Sequence, residues 1–240
     1  MGLHINYELW LPGSASVGEA THLLEQLRAI CQSTEAEVGP LVQFSTLELL
    51  TGDERYEPWS TNRWAWVFAH GALEGRDGKR QIPATTHDVA VNMFFLYPGD
   101  GSEAAPFGLV RPSESAGAPD ATRADLQGYW YWYGCCKTQY ASRFGDDHLL
   151  RCHRSVVDTI EAAMKLGLSA EVRDETGYWE TRSVDRLVSE VRRMNQIVAR
   201  FAGAVNDAAG PGNTVESPIF SDPDFERLES EPIRPNSDQM

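Results

Sequence analysis

The sequence predicts an α+β fold, a mixed or largely antiparallel sheet of about five to seven strands packed by three main helices. Three observations carry this. Leu3–Leu11 alternates apolar and polar residues with the period of two that marks a half-buried strand. Three stretches, opening near Ser16, Asp146 and Ser183, repeat apolar residues at the helical spacing. Further strand-like runs lie between and beside them, so that a strand–helix–strand unit stands at each end of the chain. Those two units predict ferredoxin-like halves around a β-rich centre.

Taken in order, Leu3, Ile5, Tyr7, Leu9 and Leu11 form the inward set of the first strand, and Pro12-Gly13 ends it. Ser16 and Glu19 make a capping box for a helix whose stripe is Val17, Ala20, Leu24, Leu27 and Cys31. Val38–Phe44 reads as the second strand. The stretch 45–62 is irregular, 64–73 is a strand, and Asp77-Gly78 marks a turn. Asp88–Tyr97 is the next strand, ended by Pro98-Gly99-Asp100-Gly101, and Phe107–Val110 is a short one. Residues 112–124 compose a surface loop.

Gly128–Ser142 is the longest strand signal, with Trp130, Tyr131, Trp132 and Tyr133 in succession. Rings on both faces imply a central strand covered on both sides, or one with a face left open for binding. Asp146 or Asp147 is the expected cap of a helix reaching Leu166, with Gly167 as its C′ residue. Leu168–Arg173 is a strand. Ser183 then opens the last helix, whose seam Leu187, Val191, Met194, Val198, Phe201 and Val205 predicts packing onto the sheet. The globular part is expected to span residues 1–212. Residues 213–240 form an acidic, proline-containing tail holding Ile219, Phe220, Phe225 and Leu228, enough to lie extended against the domain or a partner.

Composition excludes several classes. At 42% hydrophobic residues the 240-residue chain can bury a core, so wholesale disorder is ruled out. Acids outnumber bases 35 to 21, for a net charge of −14. A nucleic-acid or anionic-membrane surface needs clustered cations instead, so neither is expected as a partner. The tail carries seven acids against two arginines, which is −5 of the total. No apolar run is long enough to cross a bilayer, and the start lacks a secretory pattern. Four cysteines, two of them adjacent, do not make a disulfide framework, so a reducing cytoplasm is expected.

The short motifs fail. Gly78-Lys79 lacks the partners of a phosphate loop, because Leu73 and Arg80 stand where Gly and Ser or Thr are needed. No dinucleotide, nucleophile-elbow or zincin pattern occurs. The region richest in chemistry is 135–182. Cys136, His148, Cys152 and His153 offer metal-ligating atoms, and His148 and Cys152, four apart, share a helix face, but His153 points about 100° away from Cys152 and no Cys-x-x-Cys knuckle is present. No metal or other cofactor is therefore expected. Cys135 or Cys136 could approach His148 or His153 as a nucleophile pair, or these groups could simply pack in the core. The loop 174–182 offers carboxylates and aromatic rings, suited to a binding site or to a solvated turn anchored by Trp179 with Glu180 paired to Arg182 or to a neighbouring strand.

The combination Lys137–Ser142, Leu150-Arg151-Cys152-His153 and Gly177–Arg182, together with Gly2-Leu3-His4 and Val38-Gly39-Pro40, resembles a family of bacterial conserved-hypothetical proteins. The resemblance spans most of the chain and brings no activity, cofactor or partner with it.

The residues favour a non-enzymatic protein-interaction module over an enzyme, with an immunity-like or adaptor-like role fitting an acidic surface that docks a basic partner. The alternative is a small-molecule enzyme with its pocket between the Cys135–His153 strand–helix unit and the Asp174–Arg182 loop. Either way the candidate site is Lys137, Gln139, Tyr140, His153, Glu175, Tyr178, Glu180 and Arg182. The sequence leaves the oligomeric state open.

Overall fold

Strand β1 (Ile5–Leu11) is the organising element of a computed structural model that describes residues 2–11, 14–44, 89–112, 130–209 and 215–232. It is followed by α1 (Val17–Gln32), β2 (Glu37–Val38), β3 (Val42–Phe44), β4 (Val89–Tyr97), β5 (Ala105–Pro112) and β6 (Trp130–Cys136). A 3-10 turn (Gln139–Phe144) leads into α2 (Asp146–Lys165), β7 (Ser169–Asp174), the one-turn α3 (Tyr178–Thr181) and α4 (Val184–Ala209). A second 3-10 turn (Pro218–Ser221) and α5 (Phe225–Ser230) follow. The strand and turn expected at 64–73 and 77–78, and most of the loop expected at 112–124, lie outside the described residues.

The seven strands form one antiparallel sheet in the order β2-β4-β5-β6-β1-β7, with β3 pairing β4 beside β2. The fold is α+β. Because every pairing is antiparallel, β6 and β7 run the same way on either side of β1, and α2 crosses from one to the other. By the same count β1 and β2–β3 run parallel, joined by α1. These are the two expected strand–helix–strand units, and the β4–β5–β6 meander is the β-rich centre.

The register explains the core. Ile5, Tyr7 and Leu9 face Cys136, Gly134 and Trp132 across β6 and Asp174, Val172 and Ala170 across β7. Ile5, Tyr7 and Leu9 are fully buried, as are Leu24 and Leu27 of α1 and Val156 and Ile160 of α2. Gly134 has a specific reason. The Tyr7 ring lies across it, so that a Cβ there would sit 2.4 Å from the ring, and the Tyr7 hydroxyl reaches over to donate to the Pro106 carbonyl at 2.8 Å. Trp132 Nε1 donates to the same carbonyl, and Phe107 stacks on Tyr7. Trp130, Tyr131 and Trp132 are all buried, so β6 is a central strand covered on both faces.

The Ser16–Glu19 capping box forms as the sequence specifies. Gly167 takes φ +106 behind α2, and the Leu168 N–H closes back onto the Ala163 carbonyl. Ser183 caps α4 by accepting from the Arg186 N–H.

Several expectations are corrected. The strand signal at 38–44 is two short strands broken at Gly39-Pro40-Leu41, while the short strand at 107–110 extends to Ala105–Pro112. The run 128–142 leaves the sheet at Cys136, since Thr138 and Gln139 take buried side-chain partners and the backbone tightens with Ala141 N–H on the Thr138 carbonyl. Gly145, not Asp146 or Asp147, holds the cap of α2; both aspartates sit in its first turn, where the helix dipole favours them. The main neighbours of α4 are α2, α3, the 3-10 turn and the tail rather than the sheet. Its seam also rotates: beyond Val198 the buried residues are Ala199, Ala202 and Gly203, whereas Phe201 is 57% exposed and Val205 38%. The rotation follows from the tail, whose described residues 215–232 carry a 3-10 turn and a short helix rather than an extended segment. Ile219 and Leu228 pack on Val198, Ala199 and Ala202 as a second small core, and Arg200 donates to the Glu229 and Glu231 carbonyls at the end of α5.

Candidate functional site

The carboxyl ends of β6 and β7 and the start of β1 meet at one end of the sheet because β6 and β7 are parallel about β1. This places Lys137–Tyr140 and Asp174–Tyr178 on either side of Gly2–Ile5. Helix α2 runs beneath and supplies His153 from its inward stripe, alongside Leu149, Val156 and Ile160. Met164 of the same helix is exposed.

His153 is the centre of a hydroxyl–imidazole–carboxylate array. Its Nδ1 lies 2.9 Å from the Thr138 hydroxyl and its Nε2 lies 3.1 Å from Asp174 Oδ2. An ionised Asp174 only accepts, so Nε2 carries the proton and Nδ1 accepts from Thr138. Asp174 also accepts from the Trp179 N–H at Oδ2, and from the Thr176 N–H and hydroxyl at Oδ1. Burial pushes the Asp174 carboxyl up, but the hydrogen bonds from His153 and Thr176 outweigh it and hold the group below its ordinary value. Tyr178 packs edge-on against the imidazole at 5.2 Å. His153 is fully buried, and Thr138, Asp174, Thr176 and Tyr178 are each at most 6% exposed. In outline the array resembles a proton relay, but its hydroxyl faces the interior. What it does here is tie the end of β6, the middle of α2, the end of β7 and the start of α3 together.

The eight expected residues gather near this end of the sheet without forming a common reaction centre. Gln139 is buried between the Leu3 N–H, which it accepts, and Asn195 of α4, to which it donates. Lys137 is held over Gly2, 3.9 Å from Glu103 and over the Tyr140 ring. Burial, with the nearby Glu103, raises the Tyr140 hydroxyl above its usual value. Glu175 accepts from the His4 N–H, and its own N–H donates to the His4 carbonyl. His153 and Tyr178 belong to the buried array. Glu180 is exposed on α3. Arg182 does not pair with Glu180; it reaches Glu161 on α2 at 2.5 Å and covers the Trp179 ring.

The cysteines are not poised for chemistry. Cys152 Sγ lies 3.4 Å from His148 Nε2, the i to i+4 neighbour expected from helical spacing. Yet His148 Nδ1 accepts from Arg151 and its Nε2 donates to the Asp100 carbonyl, so the ring has no lone pair left to take the thiol proton. Burial raises all four thiols, Cys136 most plainly, and all four are free. A depressed thiol pKa is what a nucleophilic cysteine requires. Among the described residues no group of three or more His, Cys, Asp or Glu side chains could hold a metal ion.

The comparisons with known proteins add nothing to this geometry. No protein-family model matches the chain, and no curated protein or solved structure matches it.

Sequence reasoning missed Thr138 and Asn195, and passed over Asp174 within a loop it had singled out. The Asp174-Glu175-Thr176 step carries a readable signal, an Asx turn in which the carboxylate accepts from the N–H two residues on. Nothing local announces that Thr138 and Asp174 close on His153, 15 and 21 residues away.

Proposed function

We propose that this protein is a non-enzymatic protein-interaction module, immunity-like or adaptor-like, that docks a partner with a basic surface. The observation that carries the reading is the closed state of the array: its hydroxyl, imidazole and carboxylate are buried and already bonded to one another. The residues best suited to catalysis are therefore occupied in holding the fold. What is left at the surface suits recognition. The chain has a net charge of −14, and α4 exposes Phe201 and Val205 beside an acid-rich docked tail. Apolar anchors within charge complementary to the partner make a recognition surface. Free thiols and the absence, among the described residues, of a helix long and apolar enough to cross a membrane support the cytoplasm as its place of action. The resemblance to bacterial conserved-hypothetical proteins belongs to the same reading.

The test is affinity capture from a bacterial extract with the full chain as bait, followed by binding of the purified partner. A basic protein should be retained at low salt and released at high salt, and Phe201→Asp and Val205→Asp should each weaken it while leaving the melting temperature unchanged. A partner held equally by both variants would remove α4 from the reading. Turnover of any substrate by the purified chain, lost in Thr138→Val, would overturn it.

A further inference from the structure

The outer edge of β7 has the geometry to pair with itself. Among the described residues β7 pairs β1 on one side and ends the sheet on the other. The Glu175 N–H donates to the His4 carbonyl, which sets the phase of the ladder. With the observed register, Asn6–Arg173, Glu8–Glu171 and Trp10–Ser169 are then the hydrogen-bonded pairs. The peptide groups of Ala170, Val172 and Asp174 consequently turn outward. Only the Asp174 carbonyl is already taken, by the Gly177 N–H.

We infer that β7 is a homodimer edge, at which a second copy of this chain adds its own β7 antiparallel about a two-fold axis through Val172. In that register Val172 meets Val172 and exchanges two hydrogen bonds. Each Asp174 N–H reaches the Ala170 carbonyl of the other copy, making four backbone bonds in all.

The charges fit this arrangement and disfavour others. Glu171 falls opposite Arg173 of the second copy, and Arg173 opposite its Glu171. Both are exposed, and both project from the sheet face opposite the helices. They occupy the non-hydrogen-bonded pairs of the new ladder, where Cα atoms approach to about 4.5 Å and side chains come closest. A parallel in-register pairing would set Glu171 against Glu171 instead. Within one chain Glu171 stands opposite Glu8 across β1. The net charge of −14 on each copy opposes association, but at physiological ionic strength it is screened beyond about 8 Å, while the paired side chains are in contact. This edge is distinct from the α4 surface, so the inference does not depend on the basic partner.

The experiment is sedimentation velocity of the full chain over a concentration series. The wild type should form a dimer. Glu171→Arg and Arg173→Glu should each weaken it by about tenfold or more, since both symmetric pairs turn repulsive. The double swap Glu171→Arg with Arg173→Glu should restore it, and the two single variants mixed should form a heterodimer. Circular dichroism melts report folding, which both single variants should retain because residues 171 and 173 are exposed. Hydrogen exchange on the unaltered protein supplies an independent readout, with the Val172 amide slowing as concentration rises. A chain that stays monomeric throughout overturns the inference, as does a dimer that both single variants retain or one in which Val172 exchange is independent of concentration.

Discussion

Replacing Asp174 tests whether the buried array holds the fold. Its carboxylate accepts four hydrogen bonds, from the Thr176 N–H and hydroxyl, the Trp179 N–H and His153 Nε2. Alanine removes every acceptor at once. The Thr176 hydroxyl can rotate, but the two amides are fixed by the backbone, and the buried imidazole loses its Nε2 partner in either tautomer. A stranded buried donor costs about 1–3 kcal/mol, and water can reach the half-buried Trp179 amide, so Asp174→Ala should cost about 4 kcal/mol. For a chain of this size that lowers the melting temperature by about 8–16 °C.

Asparagine makes a sharper comparison. The imidazole can pass its proton to Nδ1, so that Nε2 accepts from the new amide while Nδ1 donates to Thr138. Only the Trp179 N–H then faces a donor, and the loss should fall to about 1–3 kcal/mol. The acid limb gives a further check. The folded Asp174 carboxyl lies below its unfolded value, so its contribution is complete above about pH 4 and is lost as pH falls through the lower folded value. The gap between wild type and Asp174→Ala should therefore close in that window. Scanning calorimetry and urea titration measure both effects. A drop of less than about 3 °C for Asp174→Ala, or equal losses for alanine and asparagine, would refute the reasoning.

Gly134→Ala places a methyl group against the buried Tyr7 ring and should cost about 1–3 kcal/mol or more in urea unfolding, whereas Tyr7→Phe, which leaves the Pro106 carbonyl still bonded to Trp132, should cost only about 0.5–1.5 kcal/mol. With all four thiols raised by burial, the native protein should react slowly with a disulfide reagent near neutral pH and yield all four cysteines only in denaturant; fast labelling of any one would contradict the burial. Leu228→Asp should release the tail to limited proteolysis without lowering the main melting transition, because Leu228 packs in the second core and not the first.

Much of the fold was legible. The period of two in β1, the Ser16–Glu19 box, Gly167 behind α2 and Ser183 before α4 are local signals, written by residues within a few positions of each other. The candidate site was legible only as a neighbourhood. Spacing put His148 beside Cys152, and it does lie there; spacing could not show that Arg151 and the Asp100 carbonyl occupy the imidazole. It likewise placed Arg182 near Glu180, although the guanidinium crosses to α2.

By itself, then, the sequence determined the alternation, the caps, the acidity and the strand–helix–strand units at each end of the chain. Tertiary structure alone decided that β6 and β7 flank β1, and hence that Thr138, His153 and Asp174 meet in the interior. Periodicity states which face of an element is apolar, because the spacing of side chains is fixed by backbone geometry. Which polar group waits on the other side of that face depends on strand order, and strand order is settled only when distant segments pack.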